Sequence, residues 1–395
     1  MKSLGITLAI LSAVAVLSCP PWDAPAAAAS DPVFEIYGFA KADVIYDVKR
    51  MDAAWSSVMR PSQILVPNED TPYYDEGEII YSLRASRLGT NFNLPTAGRP
   101  LTGKFEIDFF GTGNNAGQQL PRLRQIYISY GALLVGQTWS LFNDTDIWPI
   151  TLDFWGPCGL LASRRPQLRW TALDTDTRSL AFALEQPGAG IDAGKGPQFD
   201  PELHVNPRSV LPDFTAQFKV RGDRGYVQLA AVVRQLGYEG TITLEGVPTN
   251  YSDAVAGWGG YLSGRWKTSD RSGLLASVVY GEGISNYGND GGVDVAPDEE
   301  LLATALSWLG WHLAYDAFWN PRWSTSLGAS QTIQDNSVGQ NEDAFNTGTY
   351  TFINLVYYPE ANLSYGMEFL WGELTLKDGS NNDDYRLQFS AKYGF

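Results

Sequence analysis

The chain has 395 residues, with 44 Asp and Glu against 28 Lys and Arg and a formal net charge of −16. A protein this acidic is a poor partner for nucleic acid, because neutralising phosphates requires clustered Lys and Arg. It is rich in Trp, Tyr, Phe and Gly, a composition open both to a soluble protein and to a membrane barrel, whose strands alternate between lipid and water and never build a long apolar run.

The amino end starts Met1-Lys2, runs apolar from Ile6 to Leu17 and exits through Ala26-Ala27-Ala28-Ala29. That is the layout of a secretory signal peptide, and the run is too short to span a bilayer as a stable helix. Residues 1–29 are therefore expected to be a cleaved leader and residues 30–395 one domain. A competing reading takes Val16-Leu17-Ser18-Cys19 as a lipoprotein box with Cys19 lipidated, but the alanine exit downstream is the better cleavage signal. The leader carries one Lys and one Asp, so its removal leaves the net charge unchanged. Only Cys158 then remains, which excludes an intrachain disulfide, and with His204 and His312 it offers no metal-ligand spacing. No cofactor is expected.

Beyond the leader, runs of alternating character follow one another, broken by turn residues. In the first, Phe34, Ile36, Ala40, Ala42 and Val44 fall opposite Glu35, Tyr37, Lys41 and Asp43. Further strands are expected at about 79–94, 102–110, 122–130, 132–140, 166–172, 178–186, 213–220, 225–237, 254–267, 273–282, 303–319, 323–331, 348–358, 363–376 and 384–395. That makes sixteen, an even number, as bacterial single-chain barrels have. In the last, Tyr385, Leu387, Phe389, Ala391, Tyr393 and Phe395 alternate with polar residues or Gly. Alternate side chains of a strand point to opposite faces, so one face suits lipid and the other water.

The connections alternate long and short from the amino end. Outer-membrane barrels have short periplasmic turns and longer outside loops, so the pattern implies an all-β, sixteen-stranded transmembrane barrel of a Gram-negative outer membrane with both termini in the periplasm. A barrel of about sixteen strands is too wide to fill with side chains and leaves an aqueous channel. Tyr357, Tyr358, Tyr393 and Phe395 could form interfacial girdles; the alternative is that they are core aromatics of a soluble β protein.

The terminal Phe395, with Phe389 and Tyr393 at alternate positions, resembles the C-terminal signature that the barrel-assembly machinery reads in outer-membrane proteins. A more specific set lies between 105 and 170: Phe105-Glu106-Ile107-Asp108-Phe109-Phe110-Gly111-Thr112-Gly113-Asn114-Asn115-Ala116-Gly117, Leu120-Pro121-Arg122-Leu123-Arg124, Gly136-Gln137-Thr138-Trp139-Ser140, Thr151-Leu152-Asp153-Phe154-Trp155-Gly156-Pro157 and Arg165-Pro166-Gln167-Leu168-Arg169-Trp170. These runs resemble the DcaP-like outer-membrane porin family. Tyr37-Gly38-Phe39-Ala40-Lys41 and the Arg84/Arg87 region fit it too, while the second half resembles it mainly in strand layout. The resemblance implies a homotrimer in contact with outer-membrane lipids and lipopolysaccharide, passing small anionic solutes, dicarboxylates among them, through a basic constriction. It departs in one respect: some relatives carry a helical extension before the barrel, and here a residue or two separates the expected cleavage point from strand one.

On that reading the third long loop, about 141–165, is the constriction loop. Asp153, Phe154, Trp155 and Pro157 lie in it, with Gly156 and Gly159 allowing turns; an ordinary surface loop is the bland alternative. Arg84, Arg87, Arg164, Arg165 and Arg169 are candidates for lining the pore, because arginine forks can replace the hydration an anion loses in a narrow passage. Lys104 joins them with a smaller role, since Glu106 and Asp108 share its face. The alternative is that these arginines pair with Glu106, Asp108 and Asp153 and brace the wall. The acidic run Asn289–Glu300 invites a calcium reading, but its spacing fits no standard loop and a solvated external loop accounts for it. His204 and His312 have no neighbours forming a catalytic set. The expected function is passive diffusion of small anionic solutes, with neutral or cationic solutes such as sugars as the rival and a barrel enzyme as a remote one.

Overall fold

The computed structural model describes residues 31–67, 71–111, 120–195, 204–244, 247–298 and 302–395, with the backbone alone at 204, 242–244 and 247–251. The expected leader with Cys19 and the acidic pair Glu299-Glu300 lie outside the described residues.

The alternating runs form sixteen antiparallel strands. In chain order they are β1 Val33–Asp47, β2 in two pieces Glu78–Ser82 and Arg87–Leu94, β3 Leu101–Gly111, β4 Leu120–Tyr130, β5 Leu133–Trp139, β6 Arg164–Asp174, β7 Arg178–Glu185 and β8 Asp213–Gly222. The second half comprises β9 Gly225–Leu244, β10 Val247–Lys267, β11 Gly273–Glu282, β12 Ser307–Asn320, β13 Trp323–Gln334, β14 Phe345–Glu360, β15 Leu363–Leu376 and β16 Asn381–Gly394. Each pairs with its neighbours in sequence, and β1 pairs with β16 from Phe39↔Gly394 to Asp47↔Arg386, closing the barrel. Among the described residues there is no α-helix.

Closure is reinforced on both faces of the seam. Phe395 exchanges backbone hydrogen bonds with Gly38 (3.0 and 3.1 Å). A Cβ on Gly38 would lie 2.4 Å from the Arg87 carbonyl oxygen and 2.8 Å from the Phe395 ring, so that position needs glycine. Inside, Arg386 donates through Nε and Nη2 to the two carboxylate oxygens of Asp47, both at 2.6 Å, with both side chains fully buried.

The pattern sorts as the alternation requires. On β16, Tyr385, Phe389 and Tyr393 face out, while Asp384, Arg386, Gln388 and Ser390 are buried inside. On β1, Phe34, Ile36, Val44 and Tyr46 are exposed on the outer wall while Lys41, Asp43 and Asp47 are buried. Outward aromatics gather near both rims: Tyr130, Trp170, Trp266, Trp319, Tyr365 and Tyr393 at the end of the short turns, and Tyr46, Tyr81, Trp258, Tyr280 and Tyr385 towards the long loops.

Several expected boundaries are corrected, among them a strand His204–Pro207 inside the expected loop 187–212. The stretch 238–253, expected as a loop, is strand: β9 and β10 stay paired to Leu244↔Val247. Its Gly and Asn residues look like turn signals, but the β-prone Thr241-Ile242-Thr243-Leu244 carries the ladder on. The expected strand 303–319 is split, since Ala303–Ala305 leaves the wall to pair with Val295–Pro297 in a small hairpin.

The lumen is partly filled from the loop end. Segments around 51–64, 140–163 and 284–295 turn inward, and Met51, Met59, Ile64, Phe142, Ile147, Leu160, Leu161, Ile284, Tyr287 and Val295 are buried. Asp290 and Asp294, expected in a solvated loop, are buried there too. Asp290 accepts from Arg60 (2.9 Å) and Ser62 (2.6 Å from Oγ), and Asp294 from the Gly190 N–H (2.8 Å).

Phe389 sits midway between the aromatic rims on the outer face of β16. Phe389→Arg should cost about 2–4 kcal/mol, and the same change at rim-level Tyr393 about 0–1 kcal/mol. Denaturant titration of the protein folded into lipid vesicles measures both, and equal costs would contradict this depth assignment.

Candidate functional site

The site begins with a fault in one strand. The β3–β4 ladder pairs Glu106 with Gln125 but Ile107 with Leu123, so Arg124 is an extra residue. This bulge buries both Arg124 and Gln125 on the inner side, while Leu123 and Ile126 stay exposed outside.

Opposite them, β3 turns Glu106 and Asp108 inward, both almost wholly buried. Arg122 grips Asp108 with two bonds, Nε to Oδ1 at 3.0 Å and Nη2 to Oδ2 at 2.7 Å. Arg124 donates to Glu106 at 2.7 Å and to Asp108 at 2.6 Å. Tyr37 donates to Glu106 at 2.8 Å, and Arg87 stands 3.8 Å from it. Two carboxylates thus hold three guanidinium groups in a ladder on one wall.

The segment 140–163 crosses from this wall to the other. It leaves β5 and re-enters at β6. In between, Ile150, Leu152 and Asp153 hydrogen bond to Asp316 on β12, Asn354 on β14, Glu368 on β15, Lys41 on β1 and Gln388 on β16. Phe154 returns to stack on Phe110 of β3, with ring centroids 4.1 Å apart and planes 6° apart. Trp155 meets Trp55 edge-on and donates its indole N–H to the Asn289 carbonyl (2.7 Å). Gly156 has φ +73°, a left-handed conformation that favours glycine, and the Pro157 carbonyl accepts from Asn289 (3.0 Å). At Gly159 a Cβ would lie 2.4 Å from the Trp311 carbonyl oxygen, so the backbone there lies directly on the wall. Cys158 is buried, and burial pushes its thiol up to about 12.

Between the crossing segment and the ladder lies a cavity of about 510 Å³. Among the described residues its lining includes six cations, Lys41, Arg87, Arg122, Arg124, Arg164 and Lys392, and one carboxylate, Asp153. Asp153 is spoken for: it accepts from the backbone N–H groups of Met59 (3.0 Å) and Gly156 (2.9 Å) and from the Tyr350 hydroxyl (3.3 Å). Burial pushes its carboxyl above the ordinary range. Phe39, Trp139, Trp148, Phe154 and Tyr358 supply aromatic faces.

The cations differ in what they already hold. Lys41 is paired with Asp43 (2.7 Å), and Arg122 and Arg124 with the ladder acids. Arg164 lies over the Trp139 ring at 4.6 Å and Lys392 over Phe39 at 4.2 Å, and neither has a carboxylate partner among the described residues. The Nε of Arg87 and the indole nitrogen of Trp148 are buried donors with no partner there.

Of the arginines and lysine singled out in the sequence, Arg87 and Arg164 line this cavity. Arg84 instead ties Ala54 and Ser57 of the first long loop to the wall, both at 3.0 Å, and covers Phe110. Arg165 is buried over Tyr287, bonded to Ser163, the Gln186 carbonyl and Asn286. Arg169 donates to Gln167 (3.0 Å) and the Trp139 carbonyl (2.5 Å). Lys104 lies over Tyr37. Sequence reasoning passed over Lys41, Arg122, Arg124 and Lys392. The signal existed, because Arg122 and Arg124 are two apart and Lys41 and Lys392 fall on polar faces, but a bulge has no period of its own. His312 has Ser277 as its neighbour (3.3 Å), and no carboxylate bonds to either among the described residues.

A closed sixteen-stranded barrel with an apolar outer wall, rimmed by aromatics and charged within, defines a channel of the bacterial outer membrane, of the porin class. The model of the family described as DcaP outer membrane protein matches residues 22–395, and the chain belongs to that family. The crystal structure of the outer membrane channel DcaP of Acinetobacter baumannii superposes with a TM-score of 0.79 at 22% identity, over 92% of this chain and 97% of that one. A loop-deletion form of the outer membrane protein OmpT of Vibrio cholerae gives 0.56 at 12% identity, over 92% and 99%. An anion-selective porin from Comamonas acidovorans gives 0.54 at 11%, over 92% and 100%. No curated protein matches the sequence.

Removing one member of a buried charge network leaves the others uncompensated. Asp108→Ala strands Arg122, leaves Arg124 with Glu106 alone, and should cost about 3–5 kcal/mol. The shift of the heat-dependent gel band, or a denaturant midpoint in detergent, reads this out; a wild-type midpoint would mean that the ladder is dispensable.

Proposed function

We propose that this channel passes small anionic organic solutes, dicarboxylates and similar acids, by passive diffusion, with no cofactor and no catalytic step. The observation that carries the reading is the lining: among the described residues six cations converge on the cavity, and the one carboxylate beside them, Asp153, is already bonded on both oxygens. Arg164, Lys392 and the unpartnered Nε of Arg87 can replace hydration that an anion loses on entry. The chain is acidic overall, but exposed loop charges are screened within a Debye length of about 8 Å at physiological salt, while a low-dielectric wall focuses the field of the lining cations. In this reading residues 141–165 are the constriction loop, both termini are periplasmic, and Phe395 with Tyr393 guides insertion by the barrel-assembly machinery. Three copies assemble with their apolar walls against lipid and lipopolysaccharide.

One observation favours the rival, a path for neutral or cationic solutes such as sugars: Arg122 and Arg124 are neutralised by Glu106 and Asp108. The two readings part at the unpaired cations. Arg164→Ala should lower anion selectivity in a salt gradient. It should weaken block by a small dicarboxylate roughly ten- to a hundred-fold, since a charge-assisted hydrogen bond contributes about 1.5–3 kcal/mol. Arg169→Gln should leave both unchanged. A cation-selective wild-type channel, unmoved by Arg164→Ala, would promote the rival.

A further inference from the structure

One of the groups that hold the crossing segment does not line the cavity. Glu368 on β15 is fully buried. Its Oε2 accepts the Leu152 N–H at 2.9 Å and its Oε1 the Asp153 N–H at 2.6 Å. Asn354 donates to the same Oε2 at 2.8 Å and to the Ile150 carbonyl at 2.5 Å, extending the grip by two residues. From the other side Lys41 and Gln388 donate to the Leu152 carbonyl at 2.6 and 3.0 Å. The wall makes room for the turn at Gly366, where a Cβ would lie 2.8 Å from Leu152 Cδ1. Leu152 and Asp153 in turn line the cavity that the arginine ladder bounds.

The chemistry is specific to a carboxylate. Two backbone donors at adjacent residues converge on one side chain, and a carboxyl group has two oxygens to meet them. An amide offers one oxygen and turns an NH₂ towards the second donor. Without any acceptor there, two buried N–H groups are left unsatisfied, and the turn gains by moving to find partners.

We propose that Glu368 is a positioning residue that sets the width of the passage by clamping the turn Ile150–Asp153 to the far wall. The proposal rests on the reading that the crossing segment borders the solute path. Glu368 touches no solute and acts through the backbone it holds.

Single-channel recording of the full-length protein in planar bilayers tests it, with the heat-dependent gel shift confirming a folded barrel. Glu368→Ala should raise unitary conductance severalfold, add flicker between levels and weaken dicarboxylate block. Glu368→Gln should fall between, and Glu368→Asp should restore quiet, near wild-type currents, a rescue that general destabilisation would not produce. A folded Glu368→Ala channel with wild-type conductance and noise would overturn the proposal. If that variant gives no folded band, wild-type currents from Glu368→Gln and from Asn354→Ala, which cuts the same grip, would overturn it. Phe154→Ala separates the two layers of argument. Altered conductance there with none at Glu368 sinks the clamp alone, whereas no change at either also removes the reading of the segment as a border of the path.

Discussion

Everything here depends on the absence of water in hydrocarbon. A peptide group in the bilayer core has no solvent to bond to, so every strand needs a neighbour on both sides and the sheet must meet itself. The meeting of β1 with β16 is therefore the structural keystone, and the chain invests in it. The final residue spends its backbone N–H and C=O on Gly38, and a fully buried Arg386–Asp47 pair links the same two strands from inside. Such a pair does not add much stability over apolar groups of the same size, but half of it alone would be costly. Its effect is to penalise any other register between the first strand and the last.

Closure then creates two solvents for one sheet. The outer face meets lipid and is apolar with aromatic rims. The inner face meets water and charge, and there the ordinary distinction between core and surface is blurred: Lys, Arg, Asp, Glu and Gln are buried in the lumen beside the apolar cluster of the inturned loops. What prevents this from being ruinous is pairing. Glu106 and Asp108 hold Arg122 and Arg124 on one wall, Asp290 is paired with Arg60 and Asp294 with Arg234. Against that neutralised background the cavity-lining cations without a carboxylate partner among the described residues, Arg164 and Lys392, acquire meaning, because no neighbouring acid there pairs with them.

Long connections on one rim do more than cap the barrel. Three of them fold into the lumen and bury an apolar cluster around Phe142, Leu160, Tyr287 and Trp308. The passage is consequently narrower than the strand number alone implies. On the reading proposed above, its cross-section is set by how these segments are fastened to the wall, which makes Glu368 as consequential as the residues that face the cavity.

Period-two alternation in the sequence already determined the barrel. Which side of β1 and β16 meets lipid, the number of strands and the rim that carries the long loops were all legible, because strand geometry converts spacing into facing without reference to anything distant. The runs around 105–170 carried the family in a different way, through the resemblance of their particular residues. Where strands stop was less legible: the β9–β10 ladder runs past Gly and Asn residues because partner pairing, not local turn propensity, ends a hairpin. The lining of the cavity was decided only by the tertiary structure. Arg165 and Arg169 sit near Arg164 in sequence yet are bonded elsewhere, Arg165 to Ser163, Gln186 and Asn286 and Arg169 to Gln167 and Trp139, while Arg122 and Arg124 both turn inward through a bulge defined by the opposing strand. Glu368 could not be read at all. Its role depends on the N–H groups of Leu152 and Asp153, more than two hundred residues away, and only the folded chain brings them together.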